Sequence, residues 1–312
     1  MKFDMLNYRY PSRRSVIYGR KGMVCTSQPL AAQAGLDILK KGGNAVDAMI
    51  ATAICMTVLE PTGNGLGSDA FDLVWFGGKL YGLNGSGGAP KLQTLEKMKA
   101  KGYDSMPQRG WDSVTVPGAV SAWGELHRRF GRLPFKELFA AAIDYAENGY
   151  PVHPIVGRLW NDAAKVFMPF RDKPEFRPFL ETFLKNGAPA VGSVVKLPDH
   201  ARTLRELAET NCESFYRGRI AAAFDAFSKE TGGLLRAEDL AAYRAEWVEP
   251  IRTNYKGYEV CEIPPNGHGI VALMTLNMLQ KMDTSLGRDA EPTVHKQLEA
   301  MKLAFTDGQT YI

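Results

Sequence analysis

Hydrophobic positions along this chain change period several times, and each change marks an element. After Pro29, Leu30, Ala34 and Ile38 recur at helical spacing, with Ser27 or Gln28 available as the cap. Gly42-Gly43 stops that helix, and Asn44, with Asp47 three residues on, predicts the capped start of another. From Ala48 to Leu59 every face is apolar or small, so this helix is expected to be buried all round until Pro61 ends it. Phe71 to Phe76 and Leu80 to Leu83 read as strands joined at Gly77-Gly78. A short polar helix over Leu92 to Lys101 and a short strand Val114 to Val116, closed by Pro117-Gly118, come next.

The middle of the chain reads as helices over Ala119 to Phe130, Pro134 to Asn148, Ala201 to Thr210, Ile220 to Thr231 and Ala237 to Tyr243. Val166 to Pro198, rich in proline and aromatics, reads as irregular excursions over the surface. Strand signals return at Pro250 to Tyr255 and Gly257 to Ile263. The loop PPNGHG then leads into a helix over Ile270 to Met282, and a last helix runs from Thr293 towards Phe305. Helix pair, hairpin, helical middle, hairpin and helices make an α+β order with antiparallel strands, not a βαβ alternation. The last periodic segment stops almost at once at Tyr311-Ile312, which fits a natural end or a processed one.

Composition narrows the class. The chain is 45% hydrophobic and 23% charged, which suits a soluble protein with a large core. Its net charge of +4 is small, and the densest basic clusters, Arg13-Arg14 and His127-Arg128-Arg129, are too short to imply nucleic acid. Cys25, Cys55, Cys212 and Cys261 are widely separated, as expected of reduced, mostly structural cysteines in a cytosolic protein. MKFDMLNYRYPSRR lacks an apolar leader, and the longest uncharged run, Ala48 to Leu59, is too short to span a bilayer. A cytoplasmic location without membrane insertion is expected.

The candidate chemistry is mostly negative. GNGLGS (Gly63 to Ser68) fails as a dinucleotide fingerprint: Ser68 stands where the third glycine belongs, and the loop runs from helix to strand. The second loop, Gly82 to Gly88, lacks the Lys-Ser/Thr of a phosphate loop. Both loops are left to tight turning or to close backbone approach, towards a ligand or another chain segment. None of the five histidines sits in a zinc-hydrolase spacing and no GxSxG elbow occurs, so no cofactor, no metal and no catalytic residue is expected in this chain. His268 is able to face a ligand from the PPNGHG loop, with loop packing the simpler reading. Asp69 and Asp72 read as local hydrogen-bond partners.

Several segments carry a resemblance. KKGGNAVDAMIATAICMTVLEPTGNGLGSDAF resembles the large subunit of the γ-glutamyltransferase family, with its GGNAxDAAxA helix and glycine loop. VTVPGAVSAWGELHRRFGRLPFKELFAAAIDYAENGYPV, GGLLRAEDLAAYRAEWVEPIRTNYKGYEVCEIPPNGHGI and EAMKLAFTD are similar to further segments of that family, in order, across most of Met23 to Asp307. The resemblance implies an N-terminal nucleophile hydrolase, an αββα four-layer sandwich, of which residues 1–312 form the large-subunit part as a single domain. In that family a precursor cuts itself before a threonine, which then leads the small subunit and acts as nucleophile with its own α-amine as base. The expected partners are that small-subunit part and a small γ-glutamyl or related amide. An acyl-enzyme would form on the threonine, and water or an amine would take the acyl group.

One position departs from the pattern. The family's arginine in R-E-x-A-P pairs with the substrate α-carboxylate; here Ala89-Pro90 align and the arginine position falls on Ser86. Loss of a bidentate partner should weaken recognition of that carboxylate. Asn84 and Ser86 are the residues expected to line the acyl pocket. Arg109 is the nearest downstream cation able to substitute, with a plain surface role as the alternative. Two further readings follow: an amidase like the cephalosporin acylases that remove glutaryl-type chains, and a non-catalytic relative with a binding or structural role.

Overall fold

The computed structural model describes residues 16–312, so Arg13-Arg14 and the whole segment read for a leader lie outside the described residues. In chain order the elements are α1 (Pro29–Lys40), α2 (Ala45–Leu59), β1 (Ala70–Phe76), β2 (Lys79–Gly85), α3 (Leu95–Ala100), α4 (Ala119–Phe130), α5 (Ala140–Asn148), β3 (Tyr150–Pro151), α6 (Pro154–Phe167), α7 (Arg177–Phe183) and β4 (Val194–Val195). There follow α8 (Pro198–Glu209), α9 (Glu213–Arg217), α10 (Arg219–Glu230), α11 (Ala237–Ala242), β5 (Glu246–Val248), β6 (Ile251–Tyr255), β7 (Tyr258–Glu262), α12 (Gly269–Leu279) and α13 (Glu291–Tyr311).

The helix pair forms as its caps and glycines dictate. Gln28, not Ser27, caps α1, its Oε1 accepting from Leu30 N at 2.6 Å and Ala31 N at 3.3 Å. Gly35 lets α1 lie directly on α2, where a Cβ would collide with Thr52 and the Ala48 carbonyl. Twelve of the fifteen residues of α2 are buried, as its featureless apolar surface requires.

The start of α2 does more than cap a helix. Asn44 and Asp47 form the expected capping box, Asn44 Oδ1 accepting from Asp47 N at 2.9 Å and Asp47 Oδ2 from Asn44 N at 3.0 Å. The fully buried Asp47 carboxylate also accepts from Arg132 N, at 3.0 and 3.2 Å to its two oxygens, and from Leu133 N at 3.2 Å. Asn44 Nδ2 in turn donates to the Phe130 carbonyl at 2.6 Å. This polar knot ties α2 to the end of α4 and the turn beyond it.

Three antiparallel sheets are present among the described residues: β1-β2-β5, β3-β4 and β6-β7. In β1-β2-β5, Val74, Phe76, Tyr81, Leu83 and Trp247 face the helices, with Phe76, Tyr81 and Trp247 packed around Phe130 at 4.9–5.7 Å between centroids. The opposite face carries Phe71, Leu73 and Trp75, exposed by 45%, 41% and 70%. Burial alternates along β1 as far as Trp75 and stops at Phe76, and both faces are apolar.

Three expectations need correction, and one strand escaped them. Val114 to Val116 is not a strand; it makes one sheet-like bond, Val116 N to the Gly88 carbonyl at 2.9 Å. Val166 to Pro198 is not irregular throughout: it holds the end of α6, then α7 and β4, and α6 and α7 pack around a small core of Val156, Trp160 and Leu184, their prolines occupying helix-starting positions where no N–H is needed. Pro134 to Asn148 begins as a 3-10 turn over Phe135–Phe139 before α5. Strand β5 gave no sequence signal, three residues being too few to show a period.

Replacing Asp47 by Ala would leave the N–H groups of Asn44, Arg132 and Leu133 without their acceptor in a dry site. We expect a loss of about 3 kcal/mol or more in urea unfolding, with the m-value unchanged. Asp47→Asn, which keeps one acceptor oxygen, should lose less.

Candidate active site

Three backbone segments meet at the start of α4, and glycine is what lets them. The Ser68 carbonyl accepts from Gly118 N at 3.1 Å and Ala119 N at 2.9 Å, capping a helix whose N-cap glycine has no side chain to do so. Gly85 crosses under Gly118, and a Cβ on Gly118 would overlap the Gly85 carbonyl. Gly87, at φ +76°, touches the Val116 carbonyl where a side chain belongs. The second glycine loop is thus packed against its own chain.

The first loop is different. Gly63, Gly65 and Gly67 have no left-handed φ among them. A Cβ on Gly63 or Gly67 would meet nothing within 4 Å, and one on Gly65 only Gly67 N at 3.9 Å. Nothing in the described residues requires glycine there, so this loop presents bare peptide outward. It borders a cavity of about 290 Å³ that Cys25, Thr26, Met56 and Asp69 also line.

Two of the residues expected in the pocket come together. Asn84 Nδ2 donates to Asn266 Oδ1 at 2.9 Å, Ser86 Oγ to the same oxygen at 3.1 Å, and Ser86 N to Asn84 Oδ1 at 2.9 Å. Asn266 belongs to the PPNGHG loop and lies 182 positions from Asn84. Phe71, paired in register with Asn84, places its ring against Gly267. The polar cluster therefore closes one end of the apolar outer face of β1 and β2. That face runs on into a groove of about 540 Å³, lined by Leu73, Trp75 and Leu80 on one side and Arg252, Glu259 and Cys261 of β6-β7 on the other.

Arg109 lies elsewhere. Its guanidinium sits 5.9 Å over the Phe167 ring at the end of α6 and contacts Gln108. His268 is the N-cap residue of α12, with its ring 6.5 Å from that of Phe305. Asn266, two residues before it, was not singled out by sequence reasoning. The loop itself was recognised, but only the long-range hydrogen bonds distinguish its asparagine.

The acid pair also separates. Asp69 is exposed at the cavity. Asp72 points to the helical side of β1, where burial pushes its carboxyl up to about 6, and its Oδ2 has no hydrogen-bond partner. The expectation of a local hydrogen-bond role is thus corrected for Asp72. Cys55 and Cys212 are buried, and burial holds both thiols protonated. Among the described residues no Ser, Thr or Cys side chain is hydrogen-bonded to a histidine; His127 bonds the Leu133 carbonyl. No cluster of three or more His, Cys, Asp or Glu among them is placed to hold a metal.

A family profile described as Gamma-glutamyltranspeptidase matches residues 31–312. The chain is 35% identical over 302 residues to the glutathione hydrolase-like YwrD proenzyme of Bacillus subtilis, covering 94% of this chain and 55% of that protein. Among solved structures it is similar to the cephalosporin acylase from Bacillus halodurans, with a TM-score of 0.94 and 55% identity, over 100% of this chain and 58% of that one. It is also similar to the gamma-glutamyltranspeptidase of Helicobacter pylori, with a TM-score of 0.87 and 26% identity, over 95% of this chain and 86% of that one. The chain spans about half the length of the curated relatives it matches. The expected α+β, N-terminal nucleophile hydrolase fold is borne out by these neighbours.

The two glycine loops should respond oppositely to alanine. Gly87→Ala must displace the Val116 segment and is expected to cost about 2 kcal/mol or more, whereas Gly67→Ala is expected to leave thermal stability unchanged or raise it by about 0.5 kcal/mol.

For Asp72 the folded-state value of about 6 lies above its ordinary 3.8, so folding favours the protonated form. That stability is complete below pH 3.8 and is lost as pH rises through 6, by about 3 kcal/mol in all. Asp72→Asn should therefore unfold at higher urea than the parent at pH 7.5, with the difference closing by pH 4.

Proposed function

The chain belongs to the gamma-glutamyltranspeptidase family, and we propose that it is the large-subunit part of an amide-cleaving acyl transferase or hydrolase of that family. Its role would be to hold the acyl end of the substrate. The reacting hydroxyl would come from the N-terminal threonine of a small-subunit part of the same precursor. That hydroxyl adds to the amide carbonyl, its proton passes through the threonine α-amine to the departing amine, and water or an amine acceptor then removes the acyl group. Within the Gly63 to Ser68 loop the N–H groups of Gly63, Asn64, Gly65 and Ser68 are used internally, which leaves those of Leu66 and Gly67 to suit contact with the incoming half.

The observation that carries this reading is the outer face of β1 and β2. An exposed apolar sheet surface ends in a converged polar cluster, beside open glycine backbone, with no described nucleophile and histidine pair. Such a face is half of a site. Chain lengths support it: the chain accounts for 55% of the Bacillus subtilis proenzyme but 86% of the Helicobacter pylori chain.

The acylase reading has its own support. Asn84, Ser86 and Asn266 form an uncharged cluster, Arg109 packs on Phe167, and identity to the cephalosporin acylase is 55%. An α-carboxylate would find no bidentate arginine in such a pocket.

The full-length protein should mature into two chains by mass analysis, the second beginning with threonine, and should release p-nitroaniline from γ-glutamyl or glutaryl anilide. Faster γ-glutamyl turnover would count against the acylase reading. An uncut product without turnover of either anilide would overturn the enzymatic one.

A further inference from the structure

The loop that carries Ser86 is held from behind by a buried acid. Asp239, in the first turn of α11, is 6% exposed and accepts two backbone hydrogen bonds. Its Oδ2 takes Arg236 N at 2.9 Å, which caps α11. Its Oδ1 takes Lys91 N at 3.0 Å, from a residue 148 positions earlier. Capping needs only the first bond. The second leaves the helix and reaches the far end of the Ser86 loop.

The same stretch of chain holds the near end. In the β2–β5 register Asn84 pairs with Glu246, so Phe71, Asn84 and Glu246 form one cross-strand row. Ala245 N donates to Ser121 Oγ of α4 at 2.9 Å and pins the start of β5. Between the two ends, Val116 N donates to the Gly88 carbonyl at 2.9 Å, and Gly87 lies against the Val116 carbonyl. Tyr243, which ends α11, brings its hydroxyl to the same crossing, where a Cβ on Gly118 would lie 2.5 Å from it. The inner side of the loop from Asn84 to Lys91 is thus fixed at both ends and in the middle. Its outer side delivers Ser86 Oγ to Asn266 Oδ1.

We propose that Asp239 is a positioning residue for the acyl-binding end of the site. It acts through Lys91 N, holding the loop where Ser86 meets Asn266. The inference rests on the acyl-binding reading above and goes further, since it assigns the group that keeps the pocket formed. The geometry also supplies a selective variant. Gln93 N donates to the Pro90 carbonyl at 2.8 Å, so Pro90 to Gln93 is a β-turn with Lys91 at its second position, which favours proline. Lys91 is exposed, so Lys91→Pro removes the N–H that Asp239 accepts and little else.

In the full-length, matured protein, KM for the faster of the γ-glutamyl and glutaryl anilides should rise about tenfold in Asp239→Ala and in Lys91→Pro, the factor that one hydrogen bond to a charged acceptor carries, while kcat stays within about threefold. In a Ser86→Ala background the same substitutions should raise KM by less than about twofold, because the residue they position is gone. A KM for Lys91→Pro within about twofold of the parent, or equal rises with and without Ser86, would overturn the assignment, since an anchor of stability alone gives one or the other. If Asp239→Ala does not fold, Lys91→Pro carries the test. If the parent turns over neither anilide, the acyl-binding reading fails, and amide exchange decides the role of Asp239 separately. Exchange over residues 85–90 should quicken about tenfold in Lys91→Pro with that of α2 unchanged, and unaltered exchange there would refute the positioning role.

Discussion

The buried carboxylate of Asp47 is the constraint from which the rest of the site descends. A charge without exposure persists only if its lone pairs are filled, and here three backbone N–H groups fill them, one from its own cap and two from the remote turn after α4. That requirement brings the turn after α4 against the start of α2, so α4 has one permitted position. The other end of α4 then takes the Ser68 carbonyl, and through it the first glycine loop. Gly118 at that end lets Gly85 pass beneath, which sets the level at which Asn84 and Ser86 leave the sheet. Local capping chemistry thereby determines, four contacts away, where an acyl chain would lie.

What the sequence shows clearly is what is encoded locally. The capping box at Asn44 and Asp47, the all-apolar α2 and the Gly77-Gly78 hairpin each rest on residues within a few positions of one another. Asn84 and Ser86 were legible only through resemblance of motifs. The parts that escaped are those whose meaning lies in distant partners. Strand β5 exists because β2 offers it an edge, and Asn266 matters because Asn84 and Ser86 reach it. Helix α6 was hidden by its own Pro154, a residue that breaks helices in their interior and begins them at their first turn.

Glycine illustrates why composition alone underdetermines function. Gly87 and Gly118 are required by the contacts of this chain, since any side chain would enter another backbone segment. Gly63 and Gly67 face open space with ordinary backbone angles. In sequence the two loops look alike; in space one is finished and the other lacks its counterpart. The unfinished loop lies at the edge of the sheet whose outer face is also uncovered. That the two lie side by side is what the proposed small-subunit part would account for with one covering surface.

Strand β1 shows how one short element reconciles these demands. Its side chains alternate between two apolar faces: Val74 joins the helical core and Phe76 packs on Phe130, while Phe71, Leu73 and Trp75 lie exposed on the other side. Asp72 breaks this apolar economy on the core side, where its charge is unpartnered, and Glu246 breaks it on the open side, at the end of the row. The two acids answer to opposite physics. Burial of Asp72, whose Oδ2 has no hydrogen-bond partner, favours its proton, whereas Glu246 lies exposed on the open face.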